Sequence, residues 1–244
     1  MDRIEIQAMR DNEDRHWWYR GRRRIVEDEI AKLGIGSSAK VLDAGCGSGR
    51  LLDELVAYGD VSGLDIEPEN VAAARERGHV DVHEGVVEDL PWPDETFDLV
   101  TCLDVVEHTQ DDRVTLRELR RVTKAGGHAL VTVPAYQTLW SNHDVSNRHY
   151  RRYNRRTLSR AAVDVGWSVE RTTYFNSLLL PPASVVRLFH RFSRQPVEEH
   201  TSDVGIAPQW MFPALEAPMR LEAVWLRRGR RLPAGLSLLA VLRR

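Results

Sequence analysis

The chain has 244 residues, 42% hydrophobic and 29% charged, which excludes a disordered or fibrous protein and suits one α/β domain with additions or two small domains. It contains no apolar run of about 18 residues, Met1-Asp2-Arg3-Ile4-Glu5 is not an apolar leader, and Cys46 and Cys102 alone make neither a disulfide framework nor a four-ligand zinc site, so no membrane span and a cytoplasmic location are expected. The net charge of −2 is unevenly spread: residues 41–115 hold 19 acids and 4 bases, which suits a cationic ligand, and the remainder holds 17 acids and 30 bases, which suits a phosphate, an anionic glycan, nucleic acid or a membrane surface, unless both are simply solvated faces.

Residues 1–38 read as polar and helical, with an aromatic and basic knot at His16-Trp17-Trp18-Tyr19-Arg20-Gly21-Arg22-Arg23-Arg24, in which Arg22 to Arg24 look like a solvated face. Strand and helix signals then alternate. Val41 to Ala44 predicts a strand, 49–58 a helix, Val61 to Leu64 a strand, 69–77 a helix, and Val80 to Val82 a strand. Phe97 to Leu103 is a near-continuous apolar run, as in a parallel strand covered on both faces. Asp111-Asp112 opens a helix carrying Leu116, Leu119 and Val122, which Gly126-Gly127 should end, and Ala129 to Val133 forms the next strand. A helix over 157–165 and strands over Ser168 to Phe175 and Leu236 to Val241 follow. The proline-bearing, partly apolar stretch 178–232 reads as a helical insert, with Leu178 to Leu180 as core or dimer contact. Alternation of this kind predicts a doubly wound, mostly parallel sheet.

The strongest motif is Val41-Leu42-Asp43-Ala44-Gly45-Cys46-Gly47-Ser48-Gly49, a glycine-rich turn from a first strand into a helix. It is GxGxG, and Arg50 stands where a dinucleotide fingerprint needs glycine. Asp65 ends the second strand, where a carboxylate can accept two hydrogen bonds from ribose hydroxyls. Gly85-Val86-Val87-Glu88-Asp89 follows the third strand, and Leu103-Asp104-Val105-Val106-Glu107-His108 closes the fourth.

Taken together these residues resemble class I S-adenosylmethionine (SAM)-dependent methyltransferases, over roughly residues 38–175 with 236–241 as the last strand. The resemblance implies an α/β, Rossmann-like, seven-stranded sheet. It divides the chain into an N-terminal helical lid (1–38), a SAM-binding core (39–177), a helical cap insert (178–232) and a last strand (233–244). It implies that Asp43, Gly45 and Gly47 line the methionine end of the cofactor, that Asp65 holds the ribose, and that Glu88 or Asp89 with the Val87 backbone meets the adenine. Ile66 and Leu103 complete the cofactor-binding set. Many relatives carry an acid where this chain has Val86. The ends of the chain, including the stretch from Trp140 to Tyr153, are similar to a bacterial subgroup of small-molecule methyltransferases, and more narrowly to actinobacterial sugar O-methyltransferases that make methylated mannose polysaccharides.

That resemblance implies methyl transfer to a hydroxyl of a small or oligosaccharide acceptor, which needs a base. His108, His143, Asp144 and His149 are the candidates, all expected on the carboxyl-end side of the sheet. A His-Asp pair could serve as that base, or join Asp104 or Glu107 around a divalent ion such as Mg2+. Trp17, Trp18, Tyr19, Trp140 and Tyr153 are expected to face the acceptor, with burial in the core as the competing reading of the two tryptophans. A homodimer is a further expectation, through the apolar insert. No nucleic-acid partner is expected, although the basic stretch Arg148 to Arg160 keeps an RNA or protein methyltransferase as an alternative, and a non-catalytic SAM-binding scaffold is another.

Overall fold

Apolar runs separated by glycine-bearing turns become seven strands in one sheet. A computed structural model describes residues 13–185 and 208–244, with the side chain of His143 excluded; the first twelve residues and the middle of the 178–232 stretch lie outside the described residues. The strands are β1 (Ala39–Ala44), β2 (Gly59–Asp65), β3 (Val82–Glu84), β4 (Phe97–Leu103), β5 (Thr123–Pro134), β6 (Ser168–Phe175) and β7 (Ser237–Arg243), in the spatial order 3-2-1-4-5-7-6. All run parallel except β7, which lies antiparallel between β5 and β6. The order reverses between β1 and β4, which opens a crevice at their carboxyl ends.

Helices α4 (Asp112–Val122) and α6 (Arg155–Asp164) cover one face. In α4, Leu116, Leu119 and Val122 recur at three-residue spacing and are fully buried, and the Asp111 side chain caps the first turn by accepting the Arg113 N–H at 3.0 Å. The Asn154–Thr157 capping box starts α6. The opposite face is covered by α1 (Trp17–Ala31), α2 (Leu52–Leu55), α3 (Pro68–Glu76) and α7 (Phe212–Arg227). A short α5 (Asn142–Ser146) lies in the loop after β5.

Several boundaries differ from the sequence expectation. The third strand, expected over Val80 to Val82, is Val82–Glu84, with Val80 exposed. Residues 49–58 do not make one helix: α2 holds four residues, a 3-10 turn Val56–Tyr58 follows, and Gly59 starts β2 at φ 140°. Gly126-Gly127 does not end α4. Val122 does, and β5 passes straight through the glycine pair, because a side chain at Gly127 would meet the Asp98 carbonyl of β4 at 2.9 Å.

Helix α1 is also more than a lid. Ile25, Val26 and Ile30 are fully buried, and α1 runs beside α7 in the same direction, with the His16 and Phe212 rings 4.9 Å apart at one end and Lys32 Nζ donating to the Leu226 carbonyl at 2.7 Å at the other. Gly21 permits this approach, since a Cβ there would lie 2.6 Å from Met219 Sδ. The two segments outside the alternating core therefore supply a layer of the sandwich, and only the first turns of α1 reach the crevice.

Candidate active site

The crevice is built from the turn after β1. Gly45, Gly47 and Gly49 all have positive φ (87°, 56° and 82°), which brings the Gly45 and Cys46 N–H groups onto the Leu64 carbonyl at 2.7 and 2.9 Å. A side chain at Gly45 would strike Val105 at 2.3 Å, whereas among the described residues only Glu13, at 3.7 Å, lies near the Cβ direction of Gly47, so the second glycine leaves a cradle open toward them. Asp65 organises this loop: its carboxylate accepts the Gly47 N–H at 2.8 Å, the Glu67 N–H at 3.0 Å and the Asn70 amide at 3.0 Å. Those bonds occupy three of its roughly four acceptor positions. One remains for a ligand hydroxyl, fewer than the two expected from sequence. Asp43 is 2% exposed and accepts the Thr101 hydroxyl at 2.6 Å; burial raises its pKa to about 7. Around the β2 and β3 ends, Ile66 is exposed and Glu88 half-buried, Asp89 is exposed, and Val87 and Leu103 are 7% exposed.

Arg22 is a correction. It is not on a solvated face: its guanidinium pairs with Asp104, packs 4.6 Å over the Trp18 ring, and its side chain is only 14% exposed. Arg23 is buried and donates to the Glu13 carbonyl at 2.7 Å, and Glu13 accepts the Ser48 hydroxyl of the glycine turn. Sequence reasoning missed Arg22, Glu13 and Ser48. The signal for Arg22 was present, since it lies three residues from both Tyr19 and Ile25, on the buried stripe of α1. Asp104 itself has φ 57° at the end of β4, an uncommon conformation that aims it back at α1.

Beyond β4 and β5 lies a second group. Asp144 is fully buried, and its carboxylate accepts the Ser141 N–H at 2.8 Å, Arg152 Nε at 2.6 Å and His149 Nδ1 at 2.9 Å. Burial works against its charge, but His149, Arg152 and the Ser141 N–H outweigh it and hold the carboxyl well below the usual range. Asp144 thus already serves His149, Arg152 and the Ser141 N–H. The His149 ring meets the His108 ring edge-on at 4.6 Å. Glu107 is 1% exposed, and neither of its carboxylate oxygens has a hydrogen-bond partner among the described residues. Burial first, and then the neighbouring Asp104, push its pKa well above the ordinary carboxylate range.

The structure gathers one atom each of Glu107, His108 and His149 within 4.8 Å of one another. Asp104, expected to share an ion with Glu107, is instead neutralised by Arg22, and a mixed imidazole and carboxylate set suits transition metals better than Mg2+. Among the expected acceptor-facing aromatics, Trp17, Trp18 and Trp140 are half-buried. Tyr19 and Tyr153 are corrected to core: they are 5% and 2% exposed, and Tyr153 donates its hydroxyl to Asp112 at 3.0 Å. Cys46 is buried, and burial pushes its thiol pKa up.

Residues 42–131 match the family model of a methyltransferase domain. A probable S-adenosylmethionine-dependent methyltransferase of Mycolicibacterium smegmatis is 32% identical over 163 residues, 65% of this chain and 62% of that protein. A ubiquinone biosynthesis O-methyltransferase of Xanthomonas oryzae pv. oryzae is 38% identical over 104 residues, 40% of this chain and 43% of that protein. The chain thus spans less than two thirds of the length of these relatives. Among solved structures, a SAM-dependent methyltransferase from Archaeoglobus fulgidus superposes with a TM-score of 0.59 at 17% identity, covering 96% of this chain and 97% of that one. The complex between the Haloferax volcanii Trm112 methyltransferase activator and a methyltransferase contributes a chain at 0.62 and 22% identity, covering 97% and 93%. The seven-stranded, mostly parallel sheet is a Rossmann-like fold, shared with these solved methyltransferase structures.

Proposed function

We propose that this chain is a SAM-dependent methyltransferase acting on a hydroxyl group of a small acceptor, with a saccharide as the acceptor class. The observation that carries the reading is the crevice at the carboxyl ends of β1, β2 and β4. There, three left-handed glycines shape the turn, the middle one donates its N–H to the Asp65 carboxylate, and the Gly47 cradle is open among the described residues. Those residues fit the cofactor. Asp43, Gly45 and Gly47 would hold its amino-acid end, Asp65 a ribose hydroxyl, and Ile66, Val87, Glu88, Asp89 and Leu103 its base. When bound, SAM supplies a methyl group already activated on a sulfonium, so the protein's task is alignment and deprotonation.

For the deprotonation we take His149 as the base: Asp144 holds its Nδ1, and Nε2 would take the acceptor's proton. Asp144 then stabilises the resulting imidazolium. His108 packs against that ring and fixes its tilt. Half-buried Trp17, Trp18 and Trp140 offer flat apolar faces of the kind that pack on sugar rings.

The test is transfer of a radiolabelled methyl group from SAM to a panel of mannosides and glucosides. His149→Ala should retain SAM affinity and lose turnover by about 100- to 10,000-fold. Wild-type turnover in this variant removes the base assignment. SAM binding with no transfer to any hydroxyl acceptor would favour the scaffold reading.

A further inference from the structure

Among the described residues, helix α7 has an outer face that packs against no other element. Its inner face buries Met219, Ala223 and Leu226 against α1 and the sheet. The helix has two acids, Glu216 and Glu222, and both are buried, at 3% and 4% exposure. Glu216 takes Arg20 and Arg220, and Glu222 accepts the backbone N–H groups of Ser177 and Leu178. What remains outside is apolar or cationic only. Leu221, Val224 and Trp225 follow helical spacing and are 67%, 39% and 42% exposed, and Trp210, one turn before the helix, is 80% exposed. Leu178, held beside α7 through Glu222, is 57% exposed.

Immediately after this strip come Arg227, Arg228, Arg230 and Arg231, all exposed and without an ion pair among the described residues. The Arg230 guanidinium lies 4.1 Å over the Trp225 ring, so cationic and aromatic groups form one continuous surface. Single exposed apolar residues are ordinary, but an apolar helical stripe bearing tryptophan, with unneutralised arginine at its end and no exposed acid of its own, has the composition of a helix that lies in a lipid headgroup layer. Nucleic acid would use the arginines but leave the apolar stripe in water. A second copy of this chain would bring the same four unpaired arginines to the contact. Charge complementarity therefore selects an anionic lipid surface.

We propose that the outer face of α7 docks this protein peripherally on anionic phospholipid, with Leu221, Val224, Trp225 and Trp210 entering the headgroup region and Arg227 to Arg231 meeting lipid phosphates. No helix among the described residues is long and apolar enough to cross a membrane, so the attachment is superficial. The proposal does not depend on the methyltransferase reading, because it concerns a surface apart from the crevice.

The test is co-sedimentation of the full chain with phosphatidylcholine vesicles and with vesicles that also contain phosphatidylglycerol. Binding is expected only to the second kind, and it should weaken with added salt as the screening length contracts from about 10 Å at 0.1 M to about 3 Å at 1 M. Arg227→Ala combined with Arg228→Ala should lower partitioning about 25-fold, at about fivefold per arginine. Leu221→Ser combined with Trp225→Ser should lower it at every salt concentration, with an unchanged circular dichroism spectrum, since these side chains are outside the core. Three results overturn the proposal: no preference for anionic vesicles, anionic binding that both double variants leave intact, or a dimer in light scattering that Leu221→Ser with Trp225→Ser dissociates. RNA binding lost with the arginines, with no vesicle binding, overturns it as well.

Discussion

Asp65→Asn separates the two duties of the carboxylate at the end of β2. In the folded chain one oxygen accepts the Gly47 N–H and the other accepts both the Glu67 N–H and the Asn70 amide. An asparagine that keeps its carbonyl oxygen on the latter pair must turn an NH2 group toward the Gly47 N–H, donor against donor. The loss is one charge-assisted hydrogen bond at a site 7% exposed, about 1.5–3 kcal/mol. For a chain of this size that lowers the melting temperature by about 3–12 °C. If the same carboxylate holds a ribose hydroxyl, SAM affinity falls by an additional, separate amount of about 10- to 100-fold. Differential scanning fluorimetry measures the first effect and calorimetric titration with SAM the second. Asn70→Ala is the control: it removes one neutral donor, should cost about 1 kcal/mol, and should leave SAM affinity close to wild type. Wild-type melting and wild-type affinity in Asp65→Asn would refute the whole argument. A lower melting temperature with unchanged affinity would leave Asp65 as a loop organiser and remove it from the cofactor site.

Two further predictions rest on burial. Asp43 has a folded-state pKa raised from 3.8 to about 7 by burial, so its contribution to stability is present at low pH and is lost as pH rises from about 4 through 7. Urea denaturation of Asp43→Asn should accordingly show less decline over that window than wild type; parallel curves would contradict the burial argument. Deleting residues 1–24 removes Tyr19, the Gly21 contact with Met219 and the Arg22–Asp104 pair, so the truncated chain should lose its cooperative thermal transition. A folded truncation that still binds SAM would show that the first turns of α1 serve the acceptor alone.

Local pattern carried much of this architecture. The run from Phe97 to Leu103, the glycine turn after Ala44 and the acid at the end of β2 are each contained in a few consecutive residues, because strand burial and turn geometry are short-range properties. The alternation of such segments was enough to specify a parallel sheet with a crevice beside β1. Helix α1 shows where that reasoning stops. Arg20, Arg22, Arg23 and Arg24 are the same residue type within five positions, yet Arg22 meets Asp104, 82 residues away, while Arg24 is exposed. Which arginine is neutralised depends on how the helix is rotated against the sheet, and α7, arriving almost two hundred residues later through the Gly21–Met219 contact, helps to set that rotation. The proposed base group has the same origin. His108 and His149 are far apart in the chain and are two of several candidates in the sequence; the loop after β5 brings their rings to 4.6 Å, and the Asp144 charge is shared by Arg152 and His149. Sequence determined the residue types and the local conformation, and tertiary structure decided which charges are paired, because Coulomb partners in a low-dielectric interior are chosen by distance in space.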